Sequence, residues 1–421
     1  MKIVHPMAGP IEKIAVRVRA RLTRTILSFV LFAAGVCYVP YLWCARQADE
    51  WYRGDEGVQQ ELAAGVADWV EKGLTRGSFN TGSSQFNGEW LFGTYLMAGL
   101  GFGQMALEHP ERRPRNLALM GRCIERLLSP EVRAFDAETW RSDPLETLEG
   151  EPAHAAYLGY LNLLLSLHRL LDPGSAYAGL NDRITAALLR RIEQSPIQLI
   201  ESYPGEVYPV DNCAAIGSIG LHARATGADR RAFLEKWSAF CRQRYVDPKT
   251  GLLYQCVWPA ATAVSARGGR MRGLPPPGSP ADAPRGSGTA LGLYFLSFAD
   301  RGLSAELYRG VRSHLARSVC GFGGVREYPA GYRGERGDID SGPVVCGFGL
   351  SATGFLIGGA RMHGDRAYFR RLFATAYVWG APFAEKGRLR FVTGGPLGDS
   401  ILFAMLTACP SDLRLMPEGS R

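Results

Sequence analysis

The chain lacks the residue patterns that mark most cofactor-dependent proteins. Its nine cysteines and seven histidines form no CxxC pair and no Cys/His spacing suited to zinc. The glycines cluster inside apolar stretches without the strand-then-helix context of a phosphate-cradling loop. No basic stripe with interleaved aromatics is present, which excludes a nucleic-acid interface. No cofactor, metal or nucleic-acid partner is therefore expected. Charge is sparse, at 21% of residues, and the net +8 is unevenly placed. Residues 1–24 hold six basic side chains against Glu12, leaving about +3 for everything else. The pI of 9.0 thus reports topology more than a basic surface.

Residues 25–44 are a run of apolar residues close to the roughly 20 that a spanning helix needs. Lys13, Arg17, Arg19, Arg21 and Arg24 precede it, while Tyr38, Tyr41 and Trp43 lie toward its far end. Basic flank and aromatic belt together predict a single-pass anchor in the cytoplasmic membrane. Residues 1–24 would be a cytoplasmic tail, with the rest in the periplasm or cell exterior. A cleaved signal peptide is the competing reading, but no small-x-small site follows cleanly. The other seven cysteines sit in apolar contexts and read as buried small hydrophobes.

From residue 46 to about 412 the dominant period is helical, broken by short Gly, Pro and Asp-Pro segments. Twelve helices are expected near 57–75, 87–107, 114–129, 152–172, 179–193, 212–226, 229–246, 287–301, 303–320, 341–362, 365–381 and 397–408. Alternate segments are apolar all round and their partners are amphipathic, the signature of inner and outer helices. The expected fold is all-α, an (α/α)6 toroid of six hairpins, with a pocket where the inner helices begin. A Pro/Gly/Arg-rich stretch at 259–289 cannot be a core helix and reads as a lid or rim.

Two acidic segments, Val207-Tyr208-Pro209-Val210-Asp211-Asn212 and Gly337-Asp338-Ile339-Asp340-Ser341-Gly342-Pro343, each end at the expected start of an inner helix. If those helices are neighbours, Asp211, Asp338 and Asp340 share one pocket, and paired carboxylates with divergent pKa values run acid and base chemistry. Asp211 and Asp340 are each also placed to serve only as a helix N-cap, a position that Asp338, two residues earlier, cannot fill. A helix N-terminus favours the ionised form, which makes Asp211 the expected base, while two nearby acids disfavour double ionisation, which makes Asp340, beside Asp338, the expected acid. Tyr160, Tyr208, Glu206, Glu89, Trp90 and His154 are expected around the same mouth, with Arg285 and Tyr328 nearby.

Several stretches resemble the linalool dehydratase/isomerase family: Tyr157-Leu-Gly-Tyr-Leu-Asn-Leu, the run from Asp211-Asn212-Cys213 through Asp247-Pro-Lys-Thr-Gly, Asp338-Ile-Asp340-Ser-Gly-Pro, and the terminal Gly-Pro-Leu-Gly-Asp399-Ser. The similarity runs over about residues 88–407. It implies an (α/α)6 toroid, a periplasmic location and a ring homo-oligomer. By this matching the family's two reactive cysteines fall on Ser202 and Asp211 and its pocket histidine on Tyr160, while Asn212 is kept. The thiol mechanism is thereby removed.

Three function classes follow. A glycoside hydrolase would use two carboxyl groups across the pocket on a polar glycan. A hydro-lyase or isomerase would protonate the hydroxyl of an isoprenoid or other alcohol and take a proton from the adjacent carbon. A non-catalytic, membrane-anchored binding protein would need the aspartates only as caps. Aromatic and polar walls favour sugar, and a closed apolar cavity favours terpenoid.

Overall fold

Six helices apolar on nearly every face have nowhere to hide but against one another, and they close into a ring. The computed structural model describes residues 10–260, 275–332 and 341–409. Chain order runs α1 (Pro10–Cys44), α2 (Ala48–Arg53), α3 (Glu56–Lys72), α4 (Ser84–Glu108), α5 (Arg113–Leu128), α6 (Pro130–Trp140), α7 (Ala155–Leu171) and α8 (Ala178–Gln194). It continues with α9 (Pro209–Thr226), α10 (Arg231–Arg244), α11 (Gly286–Leu296), α12 (Arg301–His314), α13 (Leu350–Met362), α14 (Arg366–Gly380) and α15 (Gly395–Leu406).

The inner helices are α4, α7, α9, α11, α13 and α15. Each packs on the next, and α15 returns to α4 to complete the circle. Helices α5, α8, α12 and α14 lie outside them, with α3 against α15 and α4. This is the expected (α/α)6 toroid. Close approach of the inner helices demands small residues at the crossings: a Cβ at Gly217 of α9 would fall 2.4 Å from the Phe295 carbonyl oxygen of α11. A polar staple fixes the register of α7, α8 and α9. Asn162 donates to Thr185 (3.0 Å) and Ser218 (2.9 Å), and Asn181 donates to Asn162 (2.8 Å) and Ser166 (2.9 Å). With every member buried, the four bonds make these amides tolerable in the core, although the Asn181 Oδ1 receives none.

Three antiparallel hairpins interrupt the helical rhythm, and two correct the sequence expectation. Helix α12 ends at His314, and residues 316–325 form β1 (Ala316–Val319) and β2 (Phe322–Val325) instead of a helical extension. The two-residue turn Cys320-Gly321 has positive φ at both positions (49° and 91°), the mirror-image turn that suits strand twist. Likewise α13 starts at Leu350, not near 341. Before it, β3 (Val344–Val345) pairs with β4 (Phe348–Gly349) across Cys346-Gly347, again both at positive φ. Pro343 therefore does not open a helix, and the capping role foreseen for the acidic segment before it falls away. The third hairpin joins β5 (Pro382–Glu385) to β6 (Arg388–Phe391). Helix α6 was also unforeseen, although Ser129 caps it through Val132 N (3.4 Å) with Pro130 at its first position. Of the Pro/Gly/Arg-rich stretch, residues 261–274 lie outside the described residues.

Asp399 locks α15 to its neighbours. It accepts from Trp69 Nε1 on α3 (2.8 Å) and from the Phe391 backbone N–H (2.6 Å). Burial pushes its carboxyl up to about 6, against an ordinary value of 3.8, despite those two bonds. Because the folded value is raised, its contribution to stability is fully present below the unfolded value and is lost as pH rises through about 6. Asp399→Asn is expected to remove that dependence. The Tm of the variant minus that of the wild type should climb between pH 4 and 7, and a constant difference would refute the assignment.

Helix α1 is, among the described residues, one helix long and apolar enough to cross a membrane by length and composition. Its apolar side chains are largely exposed, Phe29 and Phe32 among them, whereas Tyr41, Cys44 and the following Ala45 pack against Phe322, Ala374 and Tyr377.

Candidate functional site

The N-terminal ends of the inner helices surround a cavity of about 630 Å³. Each contributes to the wall: Glu89 and Trp90 from α4, Tyr160 from α7, Asp211 from α9, Ser287 and Leu291 from α11, Phe355 from α13, and Leu397 and Ile401 from α15. The segment between α8 and α9 adds Tyr203, Glu206 and Tyr208, and the unforeseen α6 adds Phe135 and Thr139. Among the described lining residues, Glu89, Glu206 and Asp211 are the charged ones, and none is basic. Helices α7, α9, α11, α13 and α15 begin without a side-chain cap bond, so their positive dipole ends offset part of this negative charge.

Asp211 is the most informative of the three. Pro209 occupies the first position of α9 and Tyr208 its N-cap, so Asp211 lies in the first turn, not at the cap. Its carboxylate points sideways to Tyr160, whose hydroxyl donates to Oδ1 at 2.7 Å. Burial raises its pKa above the ordinary carboxylate range, while bonds from Ser202 and Tyr160 pull it part of the way back. Desolvation is the largest cause, so the shift runs upward, opposite in direction to the expectation drawn from the helix N-terminus.

Phenols hold the other two carboxylates. Tyr203 donates to Glu89 Oε1 and Tyr208 donates to Glu206 Oε2 at 3.2 Å. Burial, and then the nearby Glu206, pushes the Tyr208 phenol up so that it remains a donor. Around these groups Phe92 packs edge-on to Tyr160 (centroids 6.3 Å) and Phe295 does so from the other side (5.0 Å), fixing the ring that carries the donor.

The remaining expected site residues divide. Trp90, Glu89, Tyr160, Tyr208 and Glu206 line the cavity. Ser202 sits behind the wall, fully buried, bonding Asp211 and accepting from Tyr208 N (3.3 Å). Asn212 is spent on backbone, clamping Ile200 N (2.9 Å), Ile200 O (3.0 Å) and Tyr208 O (3.1 Å). His154 does not reach the cavity. It is wholly buried, with Nδ1 2.5 Å from Asp136 Oδ2 and its ring tilted at 41° against Trp140, so its role is to anchor α6. Arg285 stands behind the lining residues, 3.2 Å from Glu327 and over the Tyr328 ring, and donates to the hydroxyl of Ser341 on the cavity wall (3.1 Å). Asp338 and Asp340 lie outside the described residues; Ser341 is described and lines the cavity.

Sequence reasoning missed Tyr203, Phe135 and Phe355. Tyr203 stood beside Ser202 on the acidic loop and was legible as a phenol near carboxylates. Phe135 could be found only with α6. Among the described residues, the one side-chain group with metal-like spacing is Glu56, His109 and Glu111. It sits away from the cavity, at the other end of α4, and Arg112 already neutralises Glu56 at 2.6 Å.

Tyr160→Phe isolates the effect of the phenol. Loss of its bond should raise the Asp211 pKa further, moving the alkaline limb of a kcat/KM pH profile upward, since that profile reports free-enzyme groups. An unmoved limb would remove Asp211 as the titrating acid.

No protein-family model matches the sequence. Among solved structures, the GH76A α-1,6-mannanase of Salegentibacter sp. HEL1_6 matches with a TM-score of 0.50 at 13% identity, over 84% of this chain and 99% of that one. An inactive, doubly Asp-to-Asn variant of that mannanase in complex with α-1,6-mannotriose matches with a TM-score of 0.48 at 12% identity, over the same shares. At this identity the likeness is one of fold, the (α/α)6 toroid. The resemblance to linalool dehydratase/isomerase is thereby corrected: the structural neighbours are GH76 mannanases, and no family model supports it.

Proposed function

We propose that this chain is a membrane-anchored glycoside hydrolase acting on a neutral glycan, with Asp211 as general acid. The observation that carries it is a buried carboxyl, bonded by the Tyr160 phenol and with its pKa raised by burial, on the wall of an aromatic, carboxylate-lined cavity. Sugar rings present C–H faces to aromatic walls and hydroxyls to carboxylates, and Trp90, Tyr203, Tyr208, Glu89 and Glu206 supply both. A cavity with three acidic side chains and no described basic one disfavours uronate or sulfated glycans. A terpenoid alcohol would meet the apolar part of this wall but leave the carboxylates of Glu89, Glu206 and Asp211 without hydroxyl partners, and the lyase reading goes with the corrected resemblance.

In the proposed step the Asp211 proton passes to the glycosidic oxygen as the anomeric C–O bond breaks. A second carboxylate either takes a proton from the water that bonds to the anomeric carbon or attacks that carbon itself. Asp340, with Asp338 beside it in sequence, keeps its place as the partner carboxylate in this proposal. Glu89 and Glu206 are the described alternatives. Helix α1 is read as the membrane span, with the basic residues before it on the cytoplasmic side and the toroid facing outward.

The test is product analysis of the full chain in detergent against α-1,6-linked mannan, other neutral glycans and uronate-bearing glycans. Asp340→Asn, Asp338→Asn, Glu89→Gln and Glu206→Gln are run in parallel to locate the partner. Reducing-end sugar released from a neutral glycan supports the reading. A folded chain that binds such a glycan and never cleaves it would overturn the reading in favour of a binding protein.

A further inference from the structure

We propose that the toroid has a second membrane contact, an apolar ledge around the foot of α1 that rests on the bilayer α1 spans; this builds on the reading of α1 as the span. Outside α1, the large exposed apolar side chains among the described residues are Val319, Val345, Val378, Trp379, Phe383 and Val392. Single exposed apolar residues are ordinary when scattered, but a contiguous group marks an interaction surface. Five of these six gather in one place.

That place is where α1 meets the toroid. Arg46, two residues past the end of α1, donates to the Tyr377 hydroxyl at 2.7 Å, and its guanidinium lies over the rings of Trp43 (4.3 Å) and Tyr377 (5.1 Å). Val378 and Trp379 follow Tyr377 directly at the end of α14. The Trp379 carbonyl accepts from Thr393 Oγ1 (2.7 Å) and the Ala381 carbonyl from Val392 N (3.3 Å), which holds Val392 beside them. Phe383 stands on the adjoining strand, paired with Arg390. Val319 belongs to the β1–β2 hairpin, whose turn touches α1: a Cβ at Gly321 would lie 2.5 Å from the Tyr41 ring.

The occupant is identified by this continuity. A patch that surrounds the exit point of an apolar span faces lipid, and Trp and Phe are the side chains suited to the headgroup boundary. Val392 also leads directly into α15, whose Leu397 and Ile401 line the cavity, so the contact places that wall of the cavity on the membrane side.

Brominated-lipid quenching of tryptophan fluorescence tests this on the full chain in proteoliposomes of phosphatidylcholine and phosphatidylglycerol. Comparison of the wild type with Trp43→Phe and with Trp379→Phe isolates the emission of each ring. Both contributions are expected to be quenched, and a Phe383→Asp, Val392→Asp double variant should reduce the Trp379 quenching at least about twofold while leaving that of Trp43 intact. Quenching of Trp43 without Trp379 would overturn the ledge and leave the span standing. Quenching of neither would overturn the span and the ledge together. Hydrogen exchange of 378–392, slower in proteoliposomes than in detergent if the ledge exists and equal if it does not, guards against a variant that misfolds.

Discussion

Asp211→Asn is expected to lower kcat on the cleaved glycan by about 10²–10⁴-fold, the range a positioned general acid contributes, with little change in KM. The substitution is nearly isosteric, so the cavity keeps its shape. Tyr160 can still donate to the amide oxygen in place of Oδ1. What disappears is the transferable proton, and a loss of 10³ corresponds to about 4 kcal/mol of transition-state stabilisation. Folding should not suffer, because burial already penalises the charged carboxylate at this position and a neutral amide avoids that cost. The distinguishing measurement is kcat beside Tm. A merely structural Asp211 would lose both together or neither, and a folded variant with wild-type kcat would end its assignment as the acid.

Arg361→Met is expected to cost about 3–5 kcal/mol of stability, the usual consequence of stripping one partner from a buried ion pair. Arg361 lies near the end of α13, its side chain 1% exposed and that of Glu108 12% exposed. Its guanidinium donates to Glu108 Oε1 (2.6 Å), the Ala408 carbonyl (2.9 Å) and the Tyr52 carbonyl (3.2 Å). It thereby ties α13 to α4, to the residues after α15 and to α2. Glu108 is the last residue of α4, where the helix dipole disfavours an anion, so without Arg361 only Gln59 Nε2, at 3.0 Å, would support it. The contact is at the opposite end of the inner helices from the cavity, so KM should be unaffected in whatever fraction remains folded. Denaturant midpoints check this, and an unchanged midpoint would refute it. The double variant Arg361→Met, Glu108→Met should recover much of the loss, because no charge is then stranded.

How much was legible depended on the range of the physics involved. The inner helices could be read because a segment such as Tyr157-Leu-Gly-Tyr-Leu-Asn-Leu cannot present a polar face in any orientation. Arg231–Arg244 could be read as outer because it does. The hairpins at 316–325 and 344–349 escaped notice because their turns, Cys320-Gly321 and Cys346-Gly347, lack the usual Asn-Gly or Asp-Gly signal. Their short apolar strands ran on from helical patterns without a break. His154, Ser202 and Asn212 have side chains suited to a site, yet the fold spends them on Asp136, Asp211 and the backbone.

The sequence by itself determined the long apolar N-terminal helix, the alternation of inner and outer helices and hence the ring, and the acidic segment carrying Asp211. Apolar periodicity is a property of neighbours along the chain, and it needs no tertiary contact to be read. Only the tertiary structure decided the direction in which the Asp211 pKa moves. That direction is set by desolvation against donors from Ser202, on the segment leading into α9, and from Tyr160, fifty-one residues away, which the packing of α7 on α9 brings to it.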